Sequence, residues 1–301
     1  MQRSSHSALD INTMNAQSTL STFVASDGDN LIIQDWPLPD DVALRGVVLI
    51  VHGLGEHAGR YDHVARRLNQ WGYAVRGYDQ CGHGESAGAR GSLPTDTRLL
   101  DDLADIVDQT RARMPRSTPL ILLGHSMGGL VCARFVGLQM RPVDALVLSS
   151  PALDPGLNLF QKLLLAVLPA VVPNLRVGNG VKPAYVSHDP AVVAAYRADP
   201  LVHDRISGRL ARFIATQGPA AVAQAPAWAV PTLLMYAGDD RLINPEGSAR
   251  FAAAAPTAVV QTVRFDALYH EIFNEADAEP VFETLRAWLQ VHTPLASKVT
   301  G

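Results

Sequence analysis

The sequence is poor in cysteine, in clustered positive charge and in metal-binding patterns. Its two cysteines, Cys81 and Cys132, are too few for a disulfide framework and lie in no spacing that favours a thiol nucleophile, so we expect small core residues in a reducing compartment. No basic run is longer than Arg66-Arg67 and the net charge is −4, which argues against nucleic acid as a partner. Neither a metal motif nor a phosphate-binding glycine motif occurs, so we expect no metal and no cofactor.

Long apolar runs are also absent. The most apolar stretch, residues 157–172, is too short to span a bilayer and includes Lys162 and Pro169. The polar residues 1–18 lack the apolar centre of a secretory signal, and we expect them to form a flexible tail. Hydrophobic residues make up 48% of the chain and charged residues 18%, which is typical of a globular protein. We therefore expect a cytoplasmic protein.

One short stretch combines a strand, a sharp turn and a helix. Residues 120–123 are an apolar run typical of a buried strand, and Gly124-His-Ser126-Met-Gly-Gly129 follows, with helical apolar spacing after it. Glycines are needed where such a turn brings backbones together. This Gly-x-Ser-x-Gly pattern would lift Ser126 clear of the sheet as a nucleophile, with the Met127 amide at the helix N-terminus facing a developing oxyanion.

Strands and helices alternate along most of the chain. A hairpin is predicted at 19–24 and 31–36, and six further strands are predicted at 46–51, 73–78, 120–123, 143–148, 231–236 and 258–265. Amphipathic helices are predicted between the later strands and at 280–291. The pattern predicts an α/β fold with a mostly parallel eight-stranded sheet covered by helices on both faces. We assign residues 19–151 and 230–292 to this core, and 293–301 to a loose tail.

The alternation stops between residues 152 and 229. This segment contains eight prolines and shows no clear buried strand, so we expect a helical cap inserted into the core. An apolar stripe that includes Leu157, Phe160 and Leu163 either holds the cap against the core or lines an apolar channel. Transient contact of the cap with a lipid surface is a further alternative.

A nucleophilic serine needs a base and a carboxylate that orients the base. Both should follow later strands, because the carboxyl ends of parallel strands meet at one edge of the sheet. Asp240 follows one such strand and His270 follows the next, so the chain order is Ser, Asp, His. Asp239 remains an alternative to Asp240. The other nine histidines precede the nucleophile, lie in the predicted cap or end the last helix.

The first buried parallel strand runs into a glycine-rich turn. His52-Gly-Leu54-Gly-Glu-His57 stands where a second oxyanion donor is expected, and the Leu54 amide is the candidate. A donor of this kind contributes about 3 kcal/mol in the transition state.

At these residues the sequence resembles the monoacylglycerol lipase and lysophospholipase branch of the α/β-hydrolase superfamily. The resemblance is carried by His52-Gly-Leu-Gly-Glu-His-Ala-Gly-Arg-Tyr61, the segment 79–91, the Ser126 turn, Asp240-Arg-Leu242 and Tyr269-His270. It implies Ser126, Asp240 and His270 as the triad and Leu54 and Met127 as oxyanion donors. It also implies that the cap shapes an acyl tunnel.

The same resemblance implies that Glu56 and Arg60 lie near the polar head of the substrate. It has one departure. Where the mammalian monoacylglycerol enzyme has a second histidine three residues after the catalytic one, which helps to hold the glycerol, this chain has Phe273.

The sequence therefore predicts a serine hydrolase that cleaves single-chain lipid esters, with monoacylglycerol as the first substrate to test. Lysophospholipase, general carboxylesterase, acyltransferase and aminopeptidase activities on the same residues remain alternatives, because a fold does not determine its substrate. A binding protein that has lost activity is a further alternative, which failure of a fluorophosphonate probe to label Ser126 would favour. Neither the acyl length nor the oligomeric state follows from the sequence.

Overall fold

The computed structural model describes residues 17–39, 41–156 and 172–293. Three predictions lie partly or wholly outside these residues: the N-terminal tail, the C-terminal tail and the apolar stripe at the start of the expected cap. The division of the chain into core and cap stays a prediction.

Ten strands and seven α-helices are described. The strands are β1 (Thr19–Val24), β2 (Asn30–Trp36), β3 (Gly46–Val51), β4 (Tyr73–Tyr78), β5 (Leu120–His125), β6 (Ala145–Ser149), β7 (Arg176–Gly178), β8 (Arg205–Ser207), β9 (Thr232–Ala237) and β10 (Val260–Phe265). The helices are α1 (Asp62–Gln70), α2 (Arg98–Arg113), α3 (Met127–Gly137), α4 (Pro190–Ala198), α5 (Gly208–Gln224), α6 (Glu246–Ala254) and α7 (Glu279–His292).

Eight of the strands form one sheet in the order β1-β2-β4-β3-β5-β6-β9-β10. Strands β4, β3, β5, β6, β9 and β10 pair in parallel, and β2 alone runs in the opposite direction, antiparallel to both of its neighbours, β1 and β4. The carboxyl ends of β3, β5, β6, β9 and β10 therefore lie along the same edge of the sheet, where ligands bind in open α/β sheets.

Helices cover both faces of the sheet, as the sequence predicted. On β3, Val47, Leu49 and Val51 face one apolar cluster, while Val48 and Ile50 face another, which is the period of two expected of a strand buried on both sides. The first cluster contains residues of α2, α3, α5 and α6, and the second contains residues of α1 and α7.

Between β6 and β9 the chain leaves the sheet, and we call residues 172–230 the inserted segment. It holds α4, α5 and a small antiparallel sheet formed by β7 and β8. The small sheet was not predicted, because its strands have three residues each, which is too short for an alternation of apolar and polar residues to identify a strand. Helix α5 packs on α3, where the Arg134 guanidinium donates to the Gln217 side-chain oxygen at 2.8 Å.

Element boundaries differ from the predictions by a few residues. Strand β5 runs to His125 rather than to residue 123, β6 begins at Ala145 rather than at residue 143, and α3 begins at Met127. Periodicity identifies an element better than its ends. None of the described helices is both long enough and apolar enough to cross a membrane.

Candidate active site

Three polar side chains from distant parts of the chain meet at the carboxyl edge of the sheet. Ser126 follows β5, Asp240 lies three residues beyond β9, and His270 lies five residues beyond β10. The His270 Nε2 atom is 2.8 Å from Ser126 Oγ, and its Nδ1 atom is 2.6 Å from Asp240 Oδ2. The structure therefore brings together all three side chains that the sequence predicted, in a hydrogen-bonded line.

The backbone of Ser126 is held in a conformation that glycine adopts easily and other residues rarely do, with φ 51° and ψ −119°. Two close approaches around it explain the glycines. A Cβ on Gly124 would lie 2.5 Å from the carbonyl oxygen of Gly128, and a Cβ on Gly128 would lie 2.0 Å from the carbonyl oxygen of Val51. The turn thus packs α3 against both β5 and the end of β3, and it leaves the Ser126 hydroxyl facing the imidazole.

The carboxylate of Asp240 is oriented by its own turn. Its Oδ1 atom accepts the amides of Leu242 and Ile243 at 2.9 and 3.1 Å, which leaves Oδ2 for the imidazole. Asp239 instead pairs with the exposed Arg241. Of the two aspartates that the sequence left open, Asp240 is the one that faces His270.

Burial and charge act in opposite directions on this pair. Burial alone would lower the pKa of His270, but the neighbouring Asp240 carboxylate favours the imidazolium and leaves the pKa raised above its ordinary value. Burial alone would raise the pKa of Asp240, yet His270 and the two turn amides lower it. An imidazole with a raised pKa is a stronger base toward the Ser126 hydroxyl, provided that the pH keeps it neutral.

The loop after β3 lies against the serine. A Cβ on Gly53 would approach the Ser126 Cβ to 3.2 Å. Within the described part of the chain, neither the Leu54 amide nor the Met127 amide has a hydrogen-bond acceptor. Two unpartnered N–H groups, one on this loop and one at the N-terminus of α3, are what an oxyanion would require.

Buried side chains hold that loop in place. The Gly53 amide donates to Glu56 Oε1 at 2.5 Å, and Gln80 N–H donates to His52 Nε2 at 2.9 Å. His52 Nδ1 lies 2.8 Å from the Gly53 carbonyl oxygen, so this ring is a neutral tautomer with its hydrogen on Nδ1. The inserted segment also contacts the loop, because His203 N–H donates to the Gly55 carbonyl at 2.9 Å.

Glu56 and Arg60 bind each other, and Arg60 also binds Glu271, the residue after His270. The Arg60 guanidinium donates to Glu56 at 2.6 Å and to both oxygens of Glu271 at 2.7 and 2.8 Å, while Tyr61 donates its hydroxyl proton to Glu56 at 2.7 Å. Burial opposes ionisation of Glu56, but the Arg60 charge prevails and lowers its pKa to about 2. Glu56 reaches the pocket wall, whereas Arg60 lies behind it under the ring of Tyr196.

A pocket of about 240 Å³ opens over Ser126 and His270. Its wall is mostly apolar, with a smaller set of polar side chains. The apolar wall comes from Leu54, Met127, Ala152, Pro155, Val181, Val186, Ile206, Ala211, Ile214, Leu242 and Ile243, and the polar part comes from Glu56, His125, Asn179, Tyr196 and Glu271.

Sequence reasoning missed the roles of Asn179, Tyr196 and Glu271 in this wall. The first two lie in the inserted segment, whose packing no short pattern encodes, and no pattern in the sequence distinguished Glu271. Phe273 is buried against Phe282, with ring centroids 5.3 Å apart, and is not part of the wall. No group of three or more His, Cys, Asp or Glu in residues 17–39, 41–156 and 172–293 could hold a metal ion.

The sequence of this chain is similar to that of a known family of hydrolases. Residues 43–277 match the hydrolase family described as Hydrolase_4, serine aminopeptidase S33. The chain belongs to this family. Membership of the family confirms the α/β-hydrolase fold predicted from the sequence, and with the relatives below it confirms the prediction of a serine ester hydrolase.

Relatives within the family are named for lipid hydrolysis. The chain is 34% identical to a monoacylglycerol lipase of Mycolicibacterium smegmatis, over 90% of this chain and 96% of that protein. It is 32% identical to phospholipase YtpA of Bacillus subtilis, over 80% and 94%. The crystal structure of Paleococcus ferrophilus monoacylglycerol lipase is 34% identical, with a TM-score of 0.77, and the match covers 87% of this chain and 99% of that one.

One relative is much longer. An uncharacterized abhydrolase domain-containing protein of Dictyostelium discoideum is 31% identical over 91% of this chain, and the match spans only 29% of that protein. The resemblance to the monoacylglycerol lipase and lysophospholipase branch, inferred from the sequence, is confirmed.

Proposed function

We propose that this serine ester hydrolase cleaves single-chain lipid esters, with monoacylglycerols as its principal substrate, through an acyl-enzyme on Ser126. One observation carries the proposal. The Ser126–His270–Asp240 line opens into a pocket whose wall is mostly apolar but also contains a small set of polar side chains. An acyl chain fits the apolar wall, and a small hydroxylated head group fits the polar part, where Glu56, Asn179 and Tyr196 offer hydrogen-bonding groups.

In this mechanism the Ser126 hydroxyl oxygen attacks the ester carbonyl carbon while His270 Nε2 takes its proton. Asp240 holds the imidazole and stabilises the imidazolium. The Leu54 and Met127 amides donate to the oxyanion. The imidazolium then protonates the leaving alkoxide oxygen, and the alcohol departs. Water attacks the acyl-enzyme with His270 again as base, and the carboxylic acid is released with Ser126 restored.

The test compares hydrolysis of a monoacylglycerol, a lysophospholipid and a p-nitrophenyl ester with the same acyl chain. We expect the highest kcat/KM on the monoacylglycerol, and we expect Ser126→Ala to abolish turnover of all three. Ser117→Ala, at an exposed serine far from the pocket, is the matched control and should keep wild-type rates. Turnover retained by Ser126→Ala would overturn the mechanism, and a preference for acetate esters would overturn the lipid substrate.

Lysophospholipids are the second candidate substrate, and two observations favour them. A relative that is 32% identical is named a phospholipase. A neighbouring pocket of about 140 Å³ shares Asn179, Val181 and Leu242 with the main pocket and is flanked by Lys182 and Arg241, whose charges suit a phosphate. A kcat/KM higher on lysophosphatidylcholine than on the matched monoacylglycerol would make this the principal activity. The same panel, run with competing alcohols, separates hydrolysis from acyl transfer.

We also propose that the protein works in the cytoplasm and touches lipid surfaces through the inserted segment. The two cysteines are buried and unpaired, which suits a reducing compartment. Val172, Leu175 and Val177 expose apolar side chains on the inserted segment. Flotation with phosphatidylcholine vesicles should recover the protein with the lipid, and replacing all three with serine should abolish recovery while esterase activity on a water-soluble ester is kept.

A further inference from the structure

The loop that carries His270 is fastened to the inserted segment as well as to the sheet. We call residues 269–275 the histidine loop and residues 186–189 the contact segment. The Glu271 amide donates to the Val186 carbonyl at 2.9 Å, and the Ser187 hydroxyl donates to the Asn274 carbonyl at 2.9 Å. These two bonds lie on the carboxyl side of His270, and they join residues more than 80 positions apart.

A buried carboxylate, Glu275, stands at the centre of this contact. Its Oε1 atom accepts the Tyr269 amide at 2.6 Å and lies 2.9 Å from His188 Nδ1. Its Oε2 atom accepts the His188 amide at 3.0 Å and the Ser187 hydroxyl at 3.3 Å. One side chain thus binds the residue immediately before His270 and two residues of the inserted segment.

Ring stacking adds a second link between the same two regions. The His188 imidazole lies on the Tyr269 ring with centroids 3.5 Å apart and planes 24° apart. Val186, in the contact segment, also lines the pocket over Ser126. The contact segment therefore both lines the pocket, through Val186, and holds the histidine loop.

We propose that Glu275 is a positioning residue for the reaction: its carboxylate makes the alignment of the His270 imidazole with Ser126 depend on docking of the inserted segment. The inference rests on the proposed roles of Ser126 and His270. Its physical basis is that a shift of about 1 Å in a reacting group costs roughly 100-fold in rate. Without Glu275, the Tyr269 amide and the His188 amide both lose the buried carboxylate that accepts their hydrogen bonds, so the loop rearranges to find other acceptors.

The test measures kcat, KM and the rate of fluorophosphonate labelling for Glu275→Ala, Glu275→Gln and His188→Ala. Glu283→Gln, at an exposed glutamate of α7, is the matched control. Activity is expressed per labelled site after labelling to completion, so that a smaller fraction of folded protein does not lower the measured kcat. The downfield proton resonance of His270 Nδ1–H reports its bond to Asp240 directly.

We expect Glu275→Ala to lower kcat per labelled site about 10- to 100-fold and to slow labelling in parallel, with KM within about twofold. Glu275→Gln, which keeps an acceptor oxygen, should recover part of the loss, and His188→Ala should lose less than Glu275→Ala. The His270 resonance should shift or broaden in Glu275→Ala and stay unchanged in Glu283→Gln.

A Glu275→Ala protein that melts earlier but keeps wild-type kcat per labelled site and an unchanged resonance would overturn the proposal, because Glu275 would then only stabilise the fold. If Glu275→Ala does not fold, Ser187→Ala and His188→Ala alter the same contact from the other side, and unchanged labelling rates in both would overturn it. Failure of the proposed function gives a different result: the wild-type protein itself would not be labelled at Ser126.

Discussion

The nucleophile and its base are held in place in different ways. Ser126 sits in a turn built from its own strand and helix, where Gly124 and Gly128 let backbones approach to distances that no Cβ would allow. His270 sits in a loop whose hydrogen bonds reach the inserted segment more than 80 residues away. The first arrangement depends on close backbone packing of the turn against β5 and β3, whereas the second depends on polar contacts with the inserted segment.

This difference predicts which property, stability or catalytic rate, a substitution in each half of the site would change. A larger side chain near Ser126 would clash with backbone atoms and should therefore lower the stability of the fold. A substitution near His270 would remove hydrogen bonds that position the imidazole, and it should therefore lower the catalytic rate more than the stability of the fold. The predictions below test this contrast, beginning with the largest effect.

Asp240→Asn should lower kcat about 10⁴-fold, because an amide favours the wrong imidazole tautomer and cannot stabilise the imidazolium. The pH dependence of activity should also shift in a defined direction. Activity needs neutral His270, so it falls as pH drops through the pKa of His270, which Asp240 keeps above its ordinary value. Without that charge, burial lowers the pKa, and the acid limb of the residual activity should move to lower pH. Asp239→Asn is the control, and an equal loss in both variants would contradict the assignment.

Gly128→Ala should destabilise the fold by about 3 kcal/mol, although alanine is the better helix former. A Cβ there would lie 2.0 Å from the Val51 carbonyl oxygen and 2.4 Å from that of His52, so α3 must move away from β3. Denaturant unfolding measures the loss. Gly178→Ala, where nothing lies within 4 Å of the new Cβ, should be nearly neutral. Equal stability of the two variants would disprove the close approach.

Gly55→Ala should cost more than Gly180→Ala, and the pair isolates the contact between the inserted segment and the oxyanion loop. The two glycines have nearly the same positive φ, +78° and +77°, so each alanine should cost about 1–2 kcal/mol. Only at Gly55 would the Cβ also meet the His203 carbonyl oxygen, at 2.4 Å. We expect an additional loss of stability of about 1 kcal/mol and a lower kcat/KM in Gly55→Ala alone. Identical melting curves for the two variants would show that the His203 carbonyl does not limit the space at Gly55.

Ser126→Gly should be more stable than Ser126→Ala by about 1 kcal/mol, because glycine adopts φ 51° without the strain that a Cβ causes. Both variants are inactive under the proposed mechanism, so calorimetry is the measurement. The glycine variant should have the higher Tm. If the alanine variant melts at the same or a higher temperature, the turn stores no strain.

Local chemistry explains which parts of the site could be predicted from the sequence. The Ser126 turn was predictable because its glycines, strand and helix are adjacent in the chain, and Asp240 and His270 were predictable because each follows a parallel strand. The Arg60–Glu271 ion pair and the Glu275–His188 contact were not, because their partners are more than 80 positions apart in the chain and meet only in the folded protein. The β7–β8 pair was missed for the same reason: three-residue strands depend on the packing of the inserted segment.

The bond between His203 and Gly55 sets a condition for recombining this enzyme with its relatives. A chimera that exchanges residues 172–230 would change the side chains that line the pocket. It would also replace the residues that bind the loop after β3 and the histidine loop. Grafts that preserve the host residues at 186–188 and at 203 should keep turnover while specificity changes. Grafts that cut through either position would alter both at once.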